Sequence, residues 1–302
     1  MQAQELLAKA RRVRLPGHGP ADAVMAGQYR SAFRGSGMEF EESREYAPGD
    51  DAGALDWKVT ARMGRPFVKR FREERERTVM LAVDVSRSMA DAAPGGPPLA
   101  EAAAVAACAL ALGAAASRDR VGLVLFSDRV EAFVPPGKGP GRAVAVAHAL
   151  AGTTPAGTGT DPGPAMALLA AALAHRSVVF VFSDFLGQGF AAPLGRLARR
   201  HEVAAVLLAG PGAGILPPYG LLTVSDLETG ARATLDCGDP AARTRYAAAR
   251  TTRREALLAG LRAAGADLLE LPADAPPDAA LTAFFHRRGR GGRVGKSRLR
   301  GA

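Results

Sequence analysis

A chain of 302 residues, 48% hydrophobic and 23% charged, is long enough for one large domain with an appendage and has the makeup of an ordinary globular protein. Two cysteines, Cys108 and Cys237, exclude a disulfide framework and a cysteine-rich zinc site, and point to a reducing compartment. The net charge of +9 is concentrated at the carboxyl end, where RRGRGGRVGKSRLRGA from Arg287 carries seven cations and no acid; without them the body stands near +2.

In chain order, MQAQELLAKARRVRLPG is amphipathic and basic and lacks the apolar core of a signal peptide. A helix from Gln2 to Arg14 and a cytoplasmic location are therefore expected. The Gly-punctuated, charged FRGSGMEFEESREYAPGDD follows, and alternation around Pro66 to Phe71 predicts a strand. From Thr78 short apolar runs alternate with Ala/Leu-rich stretches. The runs TVMLAVD, VGLVLFSD, VEAFV, SVVFVFSD, VAAVLLA and DLLELP read as strands. Helices are expected up to Ala116, at Arg142–Ala151, Pro164–His175, Ala191–His201 and Ala241–Ala264, and a hairpin from LLTVSD and ATLDC. Continuous apolar strands imply burial on both faces, so the predicted fold is α/β, with a doubly wound, mostly parallel, six-stranded sheet. TVMLAVD should be central, with Val83 buried.

The Ala-rich run Ala102–Ala116 falls short of the about 20 residues a bilayer span needs, so it reads as a core helix with Cys108 as a small buried residue. The expected divisions are 1–76, the amino-terminal helix and a small β-containing appendage; 77–286, the sheet domain; and 287–302, a disordered basic tail.

Ligands of such sheets bind outside the carboxyl ends of the strands. There the first core strand ends in Asp84-Val85-Ser86-Arg87-Ser88, and SVVFVFSD ends in Ser183-Asp184. A Thr-rich loop, GTGTDPGPAMALL, leads into a helix and contains Thr160, with Thr158 and Asp161 as rivals. Carboxylates and hydroxyls form a hard oxygen set suited to Mg²⁺, or to another divalent cation such as Mn²⁺ or Ca²⁺. The plainer alternative is that Asp84, Ser86, Ser88 and Thr160 cap helices and that Asp184 is a solvated strand end. The other Ser-Asp pair, Ser127-Asp128, reads as a strand-terminating turn.

These three motifs together resemble the metal-ion-dependent adhesion site of von Willebrand factor A domains. The resemblance implies that Ser86, Ser88 and Thr160 ligate directly, that Asp84 and Asp184 act mainly through water, and that one metal position is left for an acidic group of a protein partner. Upstream, GSGMEFEESREYAPGDDAGALDWKVTARMGRPFVKRFREERE is similar to the signature of the bacterial domain of unknown function 58 family. Its matching positions include Gly35, Gly37, Glu39, Arg44, Asp50, Asp56, Trp57, Lys58 and Arg62. Family arginines before the Asp-Trp pair are replaced here by Gly53-Ala54. That resemblance implies association with a MoxR-type AAA+ ATPase in chaperoning or protein maturation, and no catalysis by the chain itself. Trp57, Arg44 and Arg62 are expected to serve as an aromatic anchor and ion pairs that fasten this segment to the main domain.

Other chemistries find less support. Gly295-Lys296-Ser297 lacks the upstream glycine and the flanking elements of a phosphate loop, and no G-x-S-x-G elbow is present. A metal-dependent hydrolase would want more acids than these loops hold. The Arg/Gly tail could give sequence-blind affinity for nucleic acid, though a solvated tail is the simpler expectation.

Overall fold

The computed structural model describes residues 1–13, 38–73, 76–90, 97–157, 159–187, 189–210, 216–225 and 230–290. They fall into two compact units, Arg34–Arg77 and a larger unit of Met1–Phe33 with Thr78–Ala302. The larger unit opens with α1 (Ala3–Arg12). The smaller contains β1 (Met38–Glu45), α2 (Trp57–Met63) and β2 (Phe67–Glu73).

In the smaller unit β1 and β2 pair antiparallel, with a bulge between Phe40 and Glu42. Asp56 is its buried pivot. It accepts from Ser43 Oγ at 2.8 Å and caps α2 through Lys58 N and Val59 N. Arg44 pairs with Asp50 at 2.6 Å, inside the smaller unit itself. Trp57 is a correction: its ring is 71% exposed. It opens a helix that has no buried residue.

The remaining strands are β3 (Thr78–Asp84), β4 (Arg120–Phe126), β5 (Val130–Gly137), β6 (Val178–Ser183), β7 (Glu202–Ala209), β8 (Leu221–Ser225), β9 (Arg232–Asp236) and β10 (Asp267–Pro272). Six form one sheet in the order β10-β7-β6-β3-β4-β5. Only the β4–β5 pair is antiparallel. The hairpin β8–β9 stands apart from it. Strand alternation sends Val79, Leu81 and Val83 of β3 to one face and Met80 and Ala82 to the other. Val83 is 1% exposed on an interior strand, as its sequence context predicts.

The helices α3 (Leu99–Ala116), α4 (Gly141–Gly152), α5 (Gly163–Ala172), α6 (Ala191–Ala198), α7 (Pro240–Ala263) and α8 (Asp278–Arg290) cover both faces. α3 is apolar all round because it is enclosed: the sheet lies beneath it, and α1 and α4 pack against it. It has the length and composition of a membrane span, yet Ala103, Ala106, Ala107 and Ala111 are fully buried in the core. Cys108 is buried with them, and desolvation pushes its thiol up to about 12.

Two boundaries differ from the sequence expectation. The division at residue 76 assigns α1 to the appendage, but its apolar face (Leu6, Leu7, Ala10) joins the core of the sheet unit. At the other end, the expected tail from Arg287 begins as helix, since α8 runs to Arg290. α8 was not anticipated. It is held by Phe284, edge-to-face with Phe180 at 6.3 Å, and by Arg288, which pairs with Glu202 and Asp267. The rest of the tail lies outside the described residues.

Candidate functional site

The parallel register of β3 with β4 and β6 brings the loops after these strands to one edge. Asp84, the last residue of β3, is fully buried. Its Oδ1 accepts from Ser86 N at 2.9 Å and its Oδ2 from Ser183 Oγ at 2.6 Å. Two residues on, Ser86 and Ser88 hold their hydroxyls 3.1 Å apart. That turn is pinned by the Val85 N–H donating to Phe126 O at 2.8 Å and by buried Met89, whose N–H donates to Ser86 O.

The loop after β6 supplies Asp184, 4% exposed, with Oδ1 accepting from Leu186 N at 3.0 Å. Phe185 takes a left-handed backbone, φ 52°, which is costly for a non-glycine residue. It is held there by burial, by an edge-to-face contact with Phe190 at 4.7 Å, and by its N–H donating to Ser183 Oγ. Burial pushes Asp84 up to about 6, and the like charge of Asp184 adds to the effect against hydrogen bonds from Ser183 and Ser86. The two carboxylates thus share one buried field.

The third loop is tied down from below. Glu131 of β5 accepts from Ala156 N at 3.0 Å, Gly157 N at 2.7 Å and Ser127 Oγ at 2.5 Å. Burial opposes ionisation of Glu131, but these bonds outweigh it and leave its carboxyl below the usual range. Ser127 O accepts from Asp161 N at 2.9 Å. Thr160, half-buried, comes against Gly187: a Cβ there would stand 3.1 Å from Thr160 Cβ and 3.2 Å from its carbonyl oxygen.

Asp161 is exposed and accepts from Gly163 N at 2.8 Å, which occupies it at the start of α5. Thr158 lies outside the described residues. Ser127 and Asp128 form the expected turn, with Ser127 N donating to Arg129 O. Gly187→Ala is expected to displace the Thr160 loop by a few tenths of an ångström, with the melting temperature little changed; the amide NMR shifts of the loop beside thermal melting check both.

All five predicted residues therefore sit at one sheet edge, Asp84 at the end of β3 and the other four on the loops there. Ser86 with Ser88, and Asp84 with Asp184, are linked directly or through their field, and Thr160 meets the Asp184 loop at Gly187. Sequence reasoning missed Ser183 and Glu131. Ser183 stood beside the chosen Asp184, and its symmetry with Ser127 at the end of β4 was the available signal. Among the described residues no three His, Cys, Asp or Glu side chains gather as a metal site. The donor set here is two carboxylates with hydroxyls.

Fold and site together define an α/β protein with a doubly wound, mostly parallel sheet that gathers buried carboxylates and hydroxyls at the carboxyl edge of its strands. The family "Protein of unknown function DUF58" matches residues 42–256. The chain is 31% identical over 277 residues to the uncharacterized protein Rv1480 of Mycobacterium tuberculosis, covering 91% of this chain and 87% of that one. It stands equally close to the uncharacterized protein Mb1516 of Mycobacterium bovis. This chain belongs to the DUF58 family. Among solved structures it is similar to the conserved hypothetical protein BatB of Bacteroides thetaiotaomicron, at 13% identity over 71% of this chain and 100% of that one, TM-score 0.43. It is also similar to an aerotolerance-related membrane protein of Bacteroides fragilis, at 18% identity over 71% of this chain and 100% of that one, TM-score 0.47.

Proposed function

We propose that the chain is a metal-dependent protein-interaction module of the von Willebrand factor A type, which holds Mg²⁺ among Ser86, Ser88 and Thr160, backed by Asp84 and Asp184, and takes an acidic side chain of a partner. One observation carries the reading. Mg²⁺ holds oxygens octahedrally at about 2.0–2.1 Å, so neighbouring ligands stand about 3 Å apart; the two serine hydroxyls, beside two buried carboxylates, are 3.1 Å apart.

The carboxylates suit an outer role. Both oxygens of Asp84 already accept hydrogen bonds, from Ser86 N and Ser183 Oγ, so it orients the serine turn and supplies charge. Neutral hydroxyls leave a divalent ion under-neutralised at its open side. A bound ion would supply an electrophilic point for an anionic oxygen there. The chain's own part is to present, orient and exclude water, which is binding rather than catalysis. A MoxR-type AAA+ ATPase or its client is the leading partner, on the strength of the family resemblance.

The test is Mg²⁺ titration calorimetry, together with binding to a purified MoxR-type ATPase with and without chelator. Asp84→Ala and the double variant Ser86→Ala/Ser88→Ala should each lose at least tenfold in metal affinity and lose chelator-sensitive partner binding, while circular dichroism stays native. Wild-type metal affinity in a folded Asp84→Ala would sink the proposal.

A further inference from the structure

At the opposite, amino edge of the sheet, α6, α7 and the starts of β7 and β10 enclose a groove of about 1120 Å³. Five arginines line it: Arg176, Arg196, Arg199, Arg262 and Arg288. Its two acids are already neutralised. Glu202 takes Arg176 at 3.3 Å and also Arg288, and Asp267 takes Arg288. Arg196, Arg199 and Arg262 pair with no carboxylate among the described residues, so the groove carries a surplus of positive charge. Solvated arginines alone would be ordinary, and all three of these sit at helix carboxyl ends, where cations are favoured.

His201 makes the groove more than a charged surface. It also lines the groove and is only 3% exposed. The Ser177 N–H donates to its Nδ1 at 3.3 Å, so the neutral ring carries its proton on Nε2. That buried Nε2 has no hydrogen-bond partner among the described residues. A buried N–H without an acceptor costs about 1–3 kcal/mol. Desolvation first, then the fields of Arg200 and Arg176, hold the ring's pKa below its usual value, which keeps it a neutral donor.

We infer that this groove binds a phosphate-bearing small molecule, with guanidinium groups of Arg196, Arg199 and Arg262 on the phosphate oxygens and His201 Nε2–H as a buried donor to the same group. Arginine favours phosphate because its planar fork donates two parallel bonds to one tetrahedral anion. The groove exceeds what a lone ion needs, so it leaves room for an organic part beside the phosphate. The site lies at the other edge of the sheet from Asp84 and does not depend on the metal proposal.

The experiment uses the full chain in metal-free buffer at near-physiological salt, with inorganic pyrophosphate as probe, followed by calorimetry and by the His201 ring-proton NMR signal, assigned with His201→Gln. Saturable binding that shifts this signal is expected, with at least tenfold weaker affinity in Arg196→Gln/Arg199→Gln. Because both arginines are exposed, that variant should fold normally. Asp84→Ala should bind pyrophosphate as wild type does. No saturable binding, unchanged affinity in the arginine variant, or a His201 signal that stays put at saturation would each overturn the inference.

Discussion

Asp84→Asn is expected to make the metal-free protein more stable than wild type above pH 6, by about 1–3 kcal/mol, and, on the proposed metal reading, to remove the response to Mg²⁺. The carboxyl of Asp84 is pushed from 3.8 up to about 6 in the folded chain, chiefly by burial. Below 3.8 it is neutral whether the chain is folded or not, and it carries no penalty. As pH rises from 3.8 to about 6 the unfolded chain gives up this proton while the folded state still holds it, so stability is lost across that window and stays lost above 6, where the folded state carries a buried charge. A shift of about two units corresponds to roughly 3 kcal/mol. Asparagine escapes that term but leaves the Ser183 hydroxyl with a poorer acceptor, which trims the gain. Urea unfolding of both proteins between pH 4 and 8 in chelator gives the measurement as a difference. The curves should converge near pH 4, separate between 4 and 6, and keep a constant difference above 6. A difference that does not change between pH 4 and 6 would mean that Asp84 is not strained by its surroundings. On the proposed metal reading, Mg²⁺ added at pH 7.5 should reverse the order, because an ion bound only by the folded wild type would stabilise it by mass action.

That a cluster should build a site at the expense of stability bears on what was legible beforehand. β3 and β6 announced themselves, since unbroken apolar runs such as VVFVFS fit only strands buried on both faces, and the acids at their ends followed from the parallel topology. Ser183 was harder. Its partner Asp84 lies 99 residues away in sequence, and only the β3–β6 pairing makes them neighbours. Glu131 was invisible for the same reason: a carboxylate on a strand reads as surface charge until the loop at residues 156–157 folds onto it. α8 was missed because a tail starting at Arg287 leaves DAALTAFF too short a stretch beside it to read as a helix. Packed against Phe180, with Arg288 drawn to Glu202 and Asp267, the same residues become helix. Trp57 misled in the opposite sense, because a lone tryptophan in a dense signature invites the role of an aromatic anchor and here it is exposed.

Ser183→Ala should show how far the missed serine matters. Its hydroxyl donates to Asp84 Oδ2 at 2.6 Å and accepts from Phe185 N at 3.0 Å, in a wholly buried position. Removing Oγ deprives both groups of this partner where water does not reach. Each such loss is worth about 1–3 kcal/mol, so a fall of about 2–4 kcal/mol in unfolding free energy is expected. The Phe185 backbone, already left-handed, loses one of its restraints, and the Asp184 loop should loosen with it. Asp84 also loses a hydrogen bond that favours its ionised form, so its carboxyl should titrate higher than in wild type. On the proposed metal reading, an outer partner of this kind is worth about 10–100-fold in affinity. Urea unfolding and Mg²⁺ titration at pH 7.5 separate the two effects: the stability loss persists in chelator, and the affinity loss is read on protein that is still folded. A change below about 0.5 kcal/mol, the scale of an inconsequential surface substitution, would mean that Ser183 does not bridge the two strands in solution.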